Sequence, residues 1–142
     1  MFFSEAEKEQ IVGAIKRAEL NTSGEIKVHV EEHCPLDNPL DRAAEVFDLL
    51  SLDNTAQRNG VLFYLSIRDR QFAILGDKGI HAKVGQELWE EEKKLLIGYL
   101  SAGETVNGLC LAIEKAGKAL QTNFPYQSDD VNEISDEISF GK

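Results

Sequence analysis

Two groups of side chains in this chain could do chemistry, and each depends on which strand ends meet. The first group is built on the carboxylates Glu25, Asp53 and Asp77, hard oxygen ligands of the kind calcium and magnesium prefer. Around them stand Arg58, Asn59, Gly76, Lys78 and Gly79. The two glycines would let backbone N–H groups approach an anion, and Arg58 and Lys78 are close enough in sequence to pair with phosphate. A divalent cation, Ca or Mg, and phosphate could be held there together. The second group collects Glu31, Glu32, His33, Asp37 and Asp69, with Glu32, Asp37 and Asp69 as its candidate ligands.

Each of these residues also has an ordinary explanation. Asp69 stabilises tight turns by bonding its own backbone, Asn59-Gly60 is common turn chemistry, and glycines are frequent in loops. Glu25 can simply line the wet face of a strand, and Asp53 and Asp77 can be surface acids. His29, His33 and Cys34 lack a fourth ligand and fit no zinc spacing. The nucleophile elbow, the P-loop and the dinucleotide glycine fingerprint are absent; Gly76-Asp77-Lys78-Gly79 is too short and follows an antiparallel strand. Trp89 reads as packing rather than as a stacking platform.

The elements that must position these groups follow from periodicity. Ser4, with Glu7 three residues on, forms a capping box for a helix whose apolar stripe is Ile11, Ala14, Ile15 and Ala18. Asn21 to Gly24 breaks it, and Glu25 to Glu31 alternates Ile26, Val28 and Val30 with polar residues, predicting a strand with one face buried and the other at least partly wet. Asn38-Pro39 opens a second helix along Leu40, Ala43, Ala44, Phe47 and Leu50. Ser51 to Arg58 reads as an exposed connection. Val61 to Ile67 is nearly continuous in apolar residues and predicts a strand covered on both faces.

A helix lies between the first strand and this central one, so the two are expected to be parallel, joined by a crossover. The Arg68-Asp69 break is too short for anything but a hairpin, so Gln71 to Leu75 runs back antiparallel. Two helices follow, one marked by Leu88, Leu95, Leu96 and Tyr99, the other by Val106, Leu109, Cys110, Ile113, Gly117 and Leu120, with Gly103 between them. The expectation is an α/β fold, a three-layer α/β/α sandwich with a small mixed sheet. In this arrangement Glu25, Asn59 and Asp77 meet at one edge of the sheet, with Asp53 beside them. Ligands of open α/β sheets favour the opposite edge, at the carboxyl ends of the parallel strands. The glycines and the amide favour the first edge, which is the preferred site.

At 142 residues and 42% hydrophobic content, the chain is the size of one domain and should bury roughly two-thirds of its unfolded surface. Residues 1–124 form the expected domain, and residues 125–142 an acidic tail. Asp129, Asp130, Glu133, Asp136 and Glu137 in this tail suit solvation, whereas Val131, Ile134, Ile138 and Phe140 suit docking on the body or on a protein partner. A net charge of -10 opposes binding to nucleic acid or anionic membranes. The start shows no secretory signal, no apolar window approaches the roughly 20 residues that cross a bilayer, and Cys34 and Cys110 are too few for a disulfide framework. A cytoplasmic protein is expected.

Taken in order, Thr22-Ser23-Gly24-Glu25-Ile26, Asn59-Gly60-Val61-Leu62, Asp69-Arg70, Gly76 and Gly79 resemble the TPM domain family, often labelled TPM phosphatase, over roughly Ser4 to Pro125. The ending, Asp130 to Phe140, is similar to a compact bacterial subgroup in which the domain stands alone. The resemblance implies an α/β/α sandwich, divalent-cation binding in some members, and hydrolysis of phosphate esters or nucleotide phosphoanhydrides in several. It also covers members with assembly or repair roles, which leaves a non-catalytic, metal-stabilised interaction module as the alternative. The chain departs from the family pattern twice. Phe2-Phe3-Ser4-Glu5 stands where typical members have an acidic pair followed by Ala-Gly, and Gly79-Ile80-His81 stands where many have Gly-Leu-Glu.

Overall fold

The computed structural model describes residues 3–125 and 138–141. Helix α1 (Glu5–Glu19) begins at the capping box: the Ser4 hydroxyl accepts from the Glu7 amide while the Glu7 carboxylate accepts from the Ser4 amide, satisfying two of the N–H groups a helix start leaves open. Strand β1 (Glu25–Glu31), helix α2 (Pro39–Leu49), strand β2 (Gly60–Ser66) and strand β3 (Gln71–Gly76) follow, then the long helix α3 (Lys78–Ser101), helix α4 (Thr105–Asn123) and a short strand β4 (Ser139–Phe140). Asn38 caps α2 through its side-chain oxygen, with Pro39 in the first turn. Helix α3 breaks its regular path at Gly85, where φ is 71°.

The sheet has the order β3-β2-β1-β4. β1 and β2 are parallel over seven pairs from Glu25↔Gly60 to Glu31↔Ser66, and β2 and β3 are antiparallel from Val61↔Gly76 to Ser66↔Gln71. Pleating sends alternate residues of β2 into two cores. Val61, Phe63 and Leu65 join Ile26, Val28 and Val30 beneath α1, α3 and α4, while Leu62 and Tyr64 pack with Ala43, Val46 and Phe47 of α2. Helices therefore cover both faces of a mixed sheet, giving the α/β/α sandwich. Among the described residues, no helix is long and apolar enough to cross a membrane.

Two local expectations change. The face of β1 predicted to be partly wet is closed: Glu25, Lys27, His29 and Glu31 are all buried. At its carboxyl end the cause is visible, since Arg42 of α2, Tyr64 of β2 and Ser139 of β4 all reach across it. The connection between Ser51 and Arg58 is only partly exposed, because Leu52 and Thr55 are buried in it. Residues 138–141 lie against β1, pairing His29↔Ser139 and Val30↔Phe140 in parallel. The acidic residues 129–137 of the expected tail lie outside the described residues.

Candidate functional site

The amino edge of the parallel pair brings Glu25, Asn59 and Asp77 to neighbouring strand ends. The Glu25 amide donates to the Asn59 carbonyl at 3.3 Å, and the Asp77 amide donates to the Gly60 carbonyl at 2.8 Å. Asp77 is the N-cap of α3, its Oδ1 accepting from the Lys78 amide at 2.8 Å. Both of its oxygens also accept from Arg58, Nε to Oδ2 at 2.6 Å and Nη2 to Oδ1 at 2.9 Å. The Asp77 carboxylate raises the Arg58 pKa, and Asp53 adds a smaller push in the same direction. Asp53 itself is exposed, as is Lys78.

Asn59 is 1% exposed. Its backbone amide donates to Thr55 Oγ1 at 3.2 Å, and its Nδ2 donates to Ser23 Oγ at 3.2 Å. Its remaining polar atom, Oδ1, is buried and has no hydrogen-bond partner. Buried carbonyl oxygens are rarely left so.

The two glycines serve packing at this edge. The Gly79 amide donates to the Arg58 carbonyl at 2.8 Å, and a Cβ at Gly79 would stand 2.1 Å from the Gln57 carbonyl oxygen. A Cβ at Gly76 would meet the Trp89 ring at 2.3 Å. The Gly79 N–H expected to face an anion is thus used inside the fold.

The opposite edge is a denser network. Glu31, 2% exposed, accepts from Tyr64 Oη at 2.6 Å and from the Arg42 guanidinium at both oxygens. Burial works against its ionisation, but the bonds from Arg42, Tyr64 and His29 outweigh that and hold its carboxyl at about 2. Since Glu31 is ionised, His29 Nε2 carries the proton it donates at 3.2 Å. Nδ1 is then an acceptor, and the Ser139 hydroxyl donates to it at 2.8 Å. Burial lowers the His29 pKa, against the pull of Glu31.

Asp69 organises the hairpin turn. It meets His33 Nδ1 at 3.0 Å and accepts from the Cys34 amide at 2.6 Å and from the Ser66 hydroxyl at 2.8 Å; these bonds, His33 first, lower its carboxyl to about 2. Glu32 pairs with Arg68, and Asp37 is exposed. His33 and Cys34 share Asp69 through a ring nitrogen and a backbone amide, His29 lies apart with Glu31 and Ser139, and the Cys34 thiol donates to the Leu36 carbonyl. Among the described residues, no three His, Cys, Asp or Glu side chains gather as a metal cluster.

The sequence reading missed Arg42, Tyr64 and Ser139. Tyr64 is concealed inside an apolar run, Arg42 lies on the crossover helix, and Ser139 follows from no periodicity.

The profile of the TPM domain matches residues 1–119. The chain belongs to the TPM domain family. Among solved structures, the BA42 protein of the psychrophilic bacterium Bizionia argentinensis is 42% identical and superposes with a TM-score of 0.92, over 99% of this chain and 97% of that one. The N-terminal domain of the cg2496 protein of Corynebacterium glutamicum gives 0.68 at 14% identity, over 92% and 81%. The N-terminal domain of a P. gingivalis protein gives 0.67 at 20% identity, over 87% and 79%. These last two show a shared fold. No curated protein matches the chain.

Proposed function

We propose that this TPM domain binds a divalent cation, Ca or Mg, at the amino edge of its sheet, and that with the cation bound it acts on phosphate esters or nucleotide phosphoanhydrides. The observation that carries this reading is Asn59 Oδ1, a buried oxygen with no partner at the strand end shared with Glu25 and Asp77. Leaving such an atom unsatisfied costs about 1–3 kcal/mol; a cation would satisfy it. The donors fit a hard cation in kind, being carboxylates and an amide oxygen. When bound, such a cation neutralises phosphate oxygens and lowers the pKa of an attacking water.

The chain's own part is a change of partners. Arg58 engages both oxygens of Asp77, so a cation at Asp77 competes with Arg58 for the carboxylate. The freed guanidinium, with Lys78 one residue beyond Asp77, would then face an anion. Calorimetric titration with calcium and magnesium tests the reading: binding weakened at least tenfold in the Asp53→Asn/Asp77→Asn variant is expected, and titrations indistinguishable from the parent would overturn it.

A second reading is favoured by a different observation. Asp77, Asp69 and Glu31 are each already paired inside the protein, as suits a non-catalytic interaction module. A panel of phosphatase and nucleotidase substrates with added metal separates the two: no turnover above that of the double variant supports the module.

A further inference from the structure

We propose that the edge of β1 from His29 to Glu31 is a recognition groove for an extended peptide, which the segment Ile138–Gly141 occupies in cis. The ligand class is a strand that carries a small hydroxyl residue and, two positions on, glycine, added parallel to β1.

Two side chains make the groove selective, and a main-chain bond lies between them. His29, 6% exposed, presents Nδ1 as an acceptor to the Ser139 hydroxyl. The Val30 carbonyl accepts from the Gly141 amide at 2.8 Å. Beside it, the Glu31 side chain leaves no room for any residue but glycine, since a Cβ at Gly141 would stand 2.4 Å from Glu31 Cγ and 2.5 Å from Oε1. Glu31 cannot give way, because Arg42 and Tyr64 hold both of its oxygens. Main-chain pairing supplies affinity in such strand addition, and side-chain pockets supply specificity.

The occupant is held far more lightly than the groove is built. Among the described residues, β4 pairs two residues with β1, whereas β1 pairs seven with β2. Phe140 remains 44% exposed, with Lys8 Nζ 5.3 Å from its ring centroid. Twelve residues, 126–137, separate the segment from Pro125 in sequence. Short, solvent-accessible elements open at low free-energy cost, and while docked the segment competes with a trans ligand at an effective concentration on the order of millimolar.

The experiment uses the full chain with Gly141→Val, which ejects the strand by the Glu31 clash, and a fluorescent peptide of residues 136–142 as probe. Anisotropy should show the peptide binding the Gly141→Val protein about tenfold or more tightly than the parent. A peptide carrying the same Gly-to-Val change should fail to bind either protein, a control that does not depend on how the variant protein folds. Equal binding to both proteins, no binding to the variant at millimolar peptide, or indifference to the change within the peptide would each overturn the proposal.

Discussion

Arg58 clamps Asp77 with two hydrogen bonds, Nε to Oδ2 at 2.6 Å and Nη2 to Oδ1 at 2.9 Å, and the same carboxylate caps α3. The pair joins the strap before β2 to the first turn of the long helix. Arg58→Gln removes the clamp but leaves the cap, so stability should fall only slightly, as solvent screens the exposed guanidinium. Its effect on a cation has the opposite sign. With Asp77 released, calcium or magnesium should bind several-fold more tightly than in the parent by calorimetry. Weaker or unchanged binding would show that Asp77 is not a ligand.

The glycines at this edge give a different expectation. Gly79 faces the carbonyl oxygens of Gln57 and Arg58, and Gly76 faces the Trp89 ring; neither neighbour can swing aside as a flexible side-chain end would. Gly79→Ala and Gly76→Ala should each destabilise by about 1–3 kcal/mol through overpacking. Chemical denaturation without phosphate or metal measures this. If the glycines served only an anion, the unliganded stability would not move.

Much of this architecture can be read from spacing alone. The alternation in Glu25–Glu31, the apolar run after Gly60 and the short break at Arg68-Asp69 determine three strands, and connection lengths then determine their directions. The meeting of Glu25, Asn59 and Asp77 follows from those directions. Side-chain pairing does not follow, because it depends on details that the pattern averages out. Arg58 reaches Asp77 from a residue with φ of 52°; Asn59-Gly60 announces a turn there but not the left-handed conformation of the arginine before it. Glu92 is the reverse case. It looks solvated within Glu90-Glu91-Glu92, yet it stands four residues from both Leu88 and Leu96 and so lies on the buried stripe of α3.

At the carboxyl edge, Arg42 is the cation that makes a buried Glu31 tolerable. Removing one partner of a buried pair leaves the other charge uncompensated and costs about 3–5 kcal/mol. Arg42→Ala should therefore lower the melting temperature markedly, whereas Arg42→Met with Glu31→Met should recover much of the loss. Because Glu31 is held at about 2, below its ordinary value of 4.5, it contributes stability that is present above pH 4.5 and lost as pH falls toward 2. In Arg42→Ala that acid-side loss should shift to higher pH, read from urea midpoints at a series of pH values. A double variant no more stable than Arg42→Ala would contradict the pairing argument.

Glu92 sets a pH dependence of the opposite sign. It is fully buried between α3 and α4, and neither carboxyl oxygen has a hydrogen-bond partner. Burial raises its pKa to about 8, the pull of the Lys115 charge being too weak to offset it; Lys115 itself pairs with Glu91. Between the ordinary value of 4.5 and about 8 the folded chain binds the proton and the unfolded chain does not. Stability from this group therefore falls as pH rises, by at most roughly 1.4 kcal/mol per unit. The lowered His29 pKa acts the other way below pH 6.5, where the unfolded chain holds the extra proton, so the parent's profile alone mixes the two. Comparison with Glu92→Gln isolates the carboxylate. The variant should gain on the parent as pH rises, melting about 5 °C or more higher at pH 8, and the gap should shrink toward pH 5. A gap that stays constant from pH 5 to 8 would mean that Glu92 does not titrate in this window.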